Sequence, residues 1–153
     1  MLTPGLSYAP ADVLPHGGAM LLLDEICGYG DDWVEAAVEV RADSAFAGAD
    51  GVPAWVGVEY MAQAVCAWSG IEQRQRGEAP AIGLLLGTRR YETSAPAFAP
   101  GSRLRVRAHL AWRDEADLGA FECTISQEGR TLATAQLKVY RPPDVVAFLK
   151  NSA

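Results

Sequence analysis

Cysteine and histidine are scarce in this chain, and the few present do not cluster. Among 153 residues there are three cysteines, Cys27, Cys66 and Cys123, far apart and odd in number. Each lies in an apolar setting, which fits reduced core thiols better than a disulfide framework and points to a cytoplasmic protein. No CxxC pair occurs, and His16 and His109 are the only histidines. The expectation is no metal site and no cofactor. A basic excess is missing too. The formal net charge is −6, which argues against a nucleic-acid partner. No apolar run approaches the ~20 residues that a membrane span requires. The start, Met1-Leu-Thr-Pro-Gly, lacks the basic n-region and apolar stretch of a signal peptide. Internal repeats, linkers and low-complexity tracts are absent as well.

What is present is an ordinary globular composition, with 50% hydrophobic and 21% charged residues. The length suits one domain with a proper core. A single domain over 1–153 is expected, with 1–13 a loosely structured lead-in.

The most informative stretch is Val52-Pro-Ala-Trp-Val-Gly-Val-Glu-Tyr-Met-Ala-Gln-Ala-Val-Cys-Ala-Trp-Ser-Gly70. It reads as a helix apolar on nearly every side. Pro53 suits its first turn, where a missing N–H costs nothing. Gly70 weakens it late, and Gly77 is a plausible stop. Its only strongly polar side chains are Glu59 and Gln63, four apart and therefore on one face. A carboxylate on a buried helix is expensive unless it is paired or has work to do.

Strands flank the helix. Met20 to Cys27 is an apolar run that ends in the turn cluster Gly28-Tyr-Gly-Asp-Asp32. Trp33 to Arg41 alternates, with Val34, Ala36, Val38 and Val40 on one face, so residues 20–41 read as a hairpin. Beyond the helix, Ala81 to Leu86 is apolar throughout. Leu104, Val106, Ala108 and Leu110 alternate with Arg103, Arg105, Arg107 and His109. Phe121, Cys123 and Ile125 form a second alternating run, and Ala133, Ala135, Leu137 and Val139 a third. Gln127-Glu-Gly-Arg130 is a hairpin turn between them. Pro142-Pro143 stops the sheet, and Asp144 to Lys150 reads as a short terminal helix. The order is two strands, one long helix, then four strands. Antiparallel strands leave one apolar face to cover, and the helix is the one apolar object large enough. The expected architecture is α+β, a curved antiparallel sheet wrapped around a long central helix.

This pattern resembles the hotdog fold. Leu14-Pro-His-Gly-Gly-Ala-Met-Leu-Leu-Leu-Asp24 is similar to the start of beta-hydroxyacyl-[acyl-carrier-protein] dehydratases. Pro53 to Gln63 is similar to their helix, which opens Pro-Gly and continues to Glu-x-x-x-Gln. Leu86-Gly-Thr-Arg-Arg-Tyr91 through Pro100-Gly101 is similar to their next strand and turn. The resemblance spans about residues 14–140. It is nearest to the small dehydratase-like proteins of aryl-polyene clusters. One departure stands out. The family carries its catalytic His in a Gly-His-Phe-Pro segment before the helix. The corresponding Asp43-Ser-Ala-Phe-Ala-Gly-Ala-Asp-Gly51 holds none. The family's acidic residue carries over onto Glu59 and its neighbour onto Gln63.

The resemblance implies elimination of water from 3-hydroxyacyl groups on an acyl carrier protein, delivered on acyl-phosphopantetheine. That chemistry needs a base for the alpha proton, an acid for the leaving hydroxyl and donors for an enolate-like oxygen. Neutral His suits the first task near pH 7. A carboxyl in an apolar cleft suits the second. His16, in a loop beside Pro15 and two glycines, is the candidate base, because His109 is expected on an outward strand face among arginines. Glu59 is the candidate acid. The N–H groups of Trp55, Val56 and Gly57 are candidate oxyanion donors, Gly57 allowing a close thioester approach, and Gln63 is a candidate either to hold Glu59 or a loop or to bind substrate directly. Trp55, Trp68 and Met61 read as core or tunnel wall. Arg89 and Arg90 are candidates for docking an acidic carrier, with Arg74 and Arg76 as further basic groups. Exposed sheet edges predict at least a dimer, a homodimer or a heterodimer with another hotdog subunit that supplies the missing His. Two other functions fit the residues. A thioesterase would use Glu59 to activate water, and a non-catalytic subunit would complete a partner's site.

Overall fold

A computed structural model describes residues 1–78, 83–142 and 150. Expectations for Ala81 and Ile82, for Pro143 and for the terminal helix over 144–149 lie outside the described residues.

The elements follow in this order: α1 (Pro10–Val13), β1 (Glu25–Tyr29), β2 (Trp33–Glu39), β3 (Val52–Pro53), α2 (Gly57–Gln75), β4 (Leu84–Thr93), β5 (Ala97–Phe98), β6 (Arg103–Arg113), β7 (Leu118–Gln127) and β8 (Arg130–Tyr140). Six long strands form one antiparallel sheet in the order β1-β2-β6-β7-β8-β4. The short β3 and β5 pair beside the start of α2. The sheet wraps α2, giving the α+β hotdog architecture.

Alternation explains the layering. Along β6, Leu104, Val106 and Ala108 are buried and Arg103, Arg105, Arg107 and His109 exposed. Their inward face meets Phe121, Cys123 and Ile125 of β7, Ala133, Ala135 and Leu137 of β8, and Met61, Ala64, Trp68 and Ile71 of α2. Met61, Trp68 and Ile71 are at most 2% exposed. Each such side chain contributes roughly 1.5–3 kcal/mol over leaving it in water. On the outer face the strands are laced by ion pairs, Arg103 with Glu25 and Glu39 and Arg105 with Glu35. His109 is among these outward groups, 3.2 Å from Asp32.

The β7–β8 turn places Glu128 and Gly129 at φ 49° and 79°. This is the backbone twist that tight hairpins favour and that glycine adopts without strain. Gly77, at φ 72°, ends α2 as expected. Its N–H reaches the Arg74 carbonyl, and the Glu78 N–H reaches that of Gln73.

Three local details differ from the sequence reading. The run from Met20 is not strand. Gly18–Met20 is a single 3-10 turn, and β1 starts only at Glu25. Met20 and Leu22 are bonded to a helix side chain, as described below, and the Asp24 N–H reaches the Ala37 carbonyl of β2. Pro53 precedes the helix in β3, and Ala54–Val56 forms a 3-10 turn before the α-helix proper begins at Gly57. Finally, α1 seats Val13 against α2. Val13 is 1% exposed, and Arg74 donates to the Asp12 carbonyl beside it. Further up the lead-in, the Thr3 N–H and carbonyl bond the Gln75 side chain.

Candidate active site

Glu59, Ala62, Cys66 and Ser69 of α2, all partly exposed, recur at helical spacing and make one stripe. This stripe floors a cleft of about 230 Å³, closed on other sides by Pro15, His16, Leu85, Phe121, Val139 and the Arg113 and Arg141 side chains. Burial, and secondarily the nearby Glu59 carboxylate, push the Cys66 thiol up to about 11. A neutral thiol at physiological pH is packing, not a nucleophile.

Gln63 lies one face over and is completely buried. Its Nε2 donates to the Met20 carbonyl at 2.7 Å and to Glu59 Oε1 at 3.2 Å. Its Oε1 accepts from the Leu22 N–H at 2.9 Å. One amide therefore ties the segment after His16 to the helix and fixes one oxygen of Glu59. The second carboxyl oxygen stays available for the cleft.

His16 reaches the same place from the N-terminal side. The chain leaves α1 through the buried Leu14 and the exposed Pro15, and Gly17-Gly18, with Gly18 at φ 59°, turns it back. His16 Nε2 stands 3.8 Å from Glu59 Oε1, too long for a hydrogen bond. Its Nδ1 is buried and has no hydrogen-bond partner among the described residues. The side chains of His16 and Glu59 are 25% and 41% exposed, so both are accessible from the cleft. The two residues proposed to act together are thus brought together by elements 43 positions apart.

Trp55, Val56 and Gly57 do not line this cleft. Gly57 is about 200° around the helix from Glu59, at the usual 100° per residue. Its missing side chain makes room for the Tyr91 hydroxyl, since an added Cβ would lie 2.2 Å from that oxygen. The Gly57 N–H closes the 3-10 turn onto the Ala54 carbonyl, which also accepts from the Tyr91 hydroxyl. An approach of thioester to Gly57 finds no support in this arrangement. Trp55 is neither core nor tunnel wall. It is 64% exposed and packs edge-on against Phe46, ring centres 5.6 Å apart. Trp68 does line the cleft, and Met61 is core.

Arg89 and Arg90 are exposed on β4, beside a bulge where Arg90 takes φ 53°. Arg74 and Arg76 are already engaged, with the Asp12 carbonyl and with Glu72. The sequence reading missed Glu72, Ser69, Arg113, Asp117 and Arg141, which form an ionic group around one end of the cleft. The available signal was Glu72 itself, a second acid on an apolar helix. Its partners lie 41 and 69 residues away on strand ends, where no local spacing betrays them.

Among the described residues no His, Cys, Asp and Glu cluster could hold a metal, and no helix is long and apolar enough to cross a membrane.

Comparison with known proteins now places the chain. No curated protein matches. Among solved structures it is similar to the dehydratase heterocomplex ApeI:P from Xenorhabdus doucetiae, at 35% identity and TM-score 0.87 over 95% of this chain and 97% of that one. It also resembles the PaaI protein of the E. coli phenylacetic acid degradation operon (15% identity, TM-score 0.59, 76% of this chain and 81% of that one). A hypothetical thioesterase with coenzyme A from Streptococcus pneumoniae TIGR4 is similar at 13% identity and TM-score 0.58, over 76% and 84%. At those identities the last two share the fold alone. Residues 8–150 match the ApeP-like family, described as ApeP dehydratase, and the chain therefore belongs to the ApeP-like dehydratases.

Proposed function

We propose that the thioesters this dehydratase acts on are 3-hydroxyacyl groups carried by an acyl carrier protein, and that His16 and Glu59 do the chemistry. The observation that carries this reading is the 3.8 Å approach of His16 Nε2 to Glu59 Oε1 over a largely apolar cleft. His16 Nε2 takes the alpha proton, with Nδ1 holding the ring's other hydrogen. Glu59, its Oε1 occupied by the Gln63 amide, holds the transferable proton on Oε2 and gives it to the leaving hydroxyl. Water and an enoyl thioester result. Gln63 is a positioning residue, because it acts through Glu59 and through the His16 loop. Dehydration supersedes the thioesterase alternative, since the family is one of dehydratases.

The partner is a second hotdog subunit. The relative ApeI:P is a heterocomplex, and here β1 and β4 leave the sheet with two edges. β4 is the better docking edge, because it carries Leu85 and Leu86 at 42% and 47% exposure. The exposed Arg89 and Arg90 on the same strand supply local positive charge for an acidic carrier.

The test follows enoyl formation by absorbance with a 3-hydroxyacyl carrier protein, in the presence of the partner subunit. His16→Ala and Glu59→Gln are each expected to slow turnover by about 10²–10⁴-fold, the usual worth of a general acid or base. Parental rates in both variants would place the chemistry in the partner and reduce this chain to a supporting subunit.

A further inference from the structure

The two ends of the cleft differ in chemistry. The His16–Glu59 end opens onto walls made by Ala62, Val65, Cys66, Leu85, Phe121 and Val139, all apolar or neutral. The other end is ionic. Glu72, whose side chain is only 7% exposed, receives two prongs from Arg113, at 2.8 and 3.2 Å, and one from Arg141 at 3.4 Å. Arg141 also donates to Ser69 Oγ at 2.8 Å and to Asp117 at 3.0 Å. Arg113 lies over the Trp68 ring, 5.2 Å from its centre.

This ionic group is also a partition. Glu72 and Arg113 line a second, polar cavity of about 210 Å³ between the end of α2 and residues 1–3. Arg113 thus faces both spaces, while Glu72 faces the polar one and holds Arg113 between them. From Glu59 to Ser69 is ten residues of helix, about 15 Å at the usual rise.

We propose that the Arg113–Glu72–Arg141 group is the stop met by the tail of the acyl chain, and that it sets the longest chain this dehydratase accepts. The inference rests on the acyl carbonyl lying at His16 and Glu59. The apolar wall suits hydrocarbon and not the phosphopantetheine arm, whose amides need polar partners when buried. A longer chain has to break the Arg113–Glu72 pair to advance. That gives up the two-pronged contact of a buried carboxylate and strips the Arg113 guanidinium of its partner, a cost that opposes the gain from burying a few more methylenes. The stop is firm because the guanidiniums are satisfied by protein groups already.

The experiment measures kcat/KM for 3-hydroxyoctanoyl and 3-hydroxyhexadecanoyl chains on one carrier protein, with the partner subunit present. Arg113→Met opens the partition while Arg76 and Arg141 still neutralise Glu72. It is expected to raise the long-to-short ratio about tenfold. Ser69→Leu fills the same end from the helix without removing a charge, and is expected to lower the ratio by a similar factor. It tests the idea even if Arg113→Met does not fold. Ratios unchanged in the variants that fold, or a change in KM for every chain alike, would overturn the stop. If the parent dehydrates neither chain, the proposed substrate and residue roles fail instead. The stop is then judged by displacement of a fluorescent fatty acid with octanoate and hexadecanoate. The same shift in length preference supports it, and no shift overturns it.

Discussion

Gly70 sits in the second half of α2 with its Cα against α1. A Cβ added there would lie 2.0 Å from the Val13 carbonyl oxygen, 2.9 Å from that carbonyl carbon and 3.1 Å from Val13 Cβ. In an exposed helix, glycine to alanine stabilises by about 1 kcal/mol. Here the obstacle is main chain, which has no rotamer to move away. Gly70→Ala forces α1 off the helix and disturbs the burial of Val13 and Leu14, now 1% and 5% exposed. Partial loss of those contacts and the overpacking together cost about 3 kcal/mol. Subtracting the propensity gain leaves a net destabilisation of about 2 kcal/mol. For a chain of this size that lowers Tm by about 4–8 °C. His16 follows Val13 by three residues, so turnover should fall as well, with the loss in kcat. Urea unfolding followed by circular dichroism, together with enoyl formation, reads both effects. A Gly70→Ala protein that is more stable than the parent would show that α1 is not seated on α2 in this way, and would remove the account of how His16 is held.

Gln63→Ala should destabilise by about 2 kcal/mol, because the Leu22 N–H and Met20 carbonyl lose their partner; urea midpoints measure it, and hydrogen exchange should quicken at Leu22. Stability should fall as pH rises from about 9 to about 12. Burial raises Cys66 to about 11 and Tyr60, Tyr91 and Cys123 to about 12, from ordinary values of 9.0 for thiols and 10.0 for phenols. The unfolded chain therefore loses these protons first in that window, and below it the stabilisation is complete. Urea midpoints across the range check the sign, and Tyr91→Phe should make the decline shallower. Charge reversal at both Arg89 and Arg90 should weaken carrier-protein binding at low salt and do little at high salt; titration calorimetry at two ionic strengths decides, and equal affinity at low salt would rule those residues out.

The fold was largely legible from alternation and from one unusually apolar helix. Leu104, Val106 and Ala108 could face only a core, and a helix without a polar face could only be wrapped. Glu59 and Gln63 were legible for the same reason: four apart and polar, in a segment with no other room for polarity. His16 was visible as one of two histidines, but nothing in the chain order placed its imidazole 3.8 Å from Glu59. That proximity arises because Gly70 lets the Val13 backbone touch α2 and because Gln63 binds the backbone at Met20 and Leu22. Gly57 turns from the cleft to Tyr91, because two residues are enough to take it off the face that carries Glu59. Of the ionic end of the cleft, the chain showed only Glu72, without its partners. Periodicity reports which face of an element is buried, because burial acts residue by residue along the chain. It says nothing of which distant side chains meet there, because the Glu72 carboxylate finds Arg113 and Arg141 only after the sheet has closed around the helix.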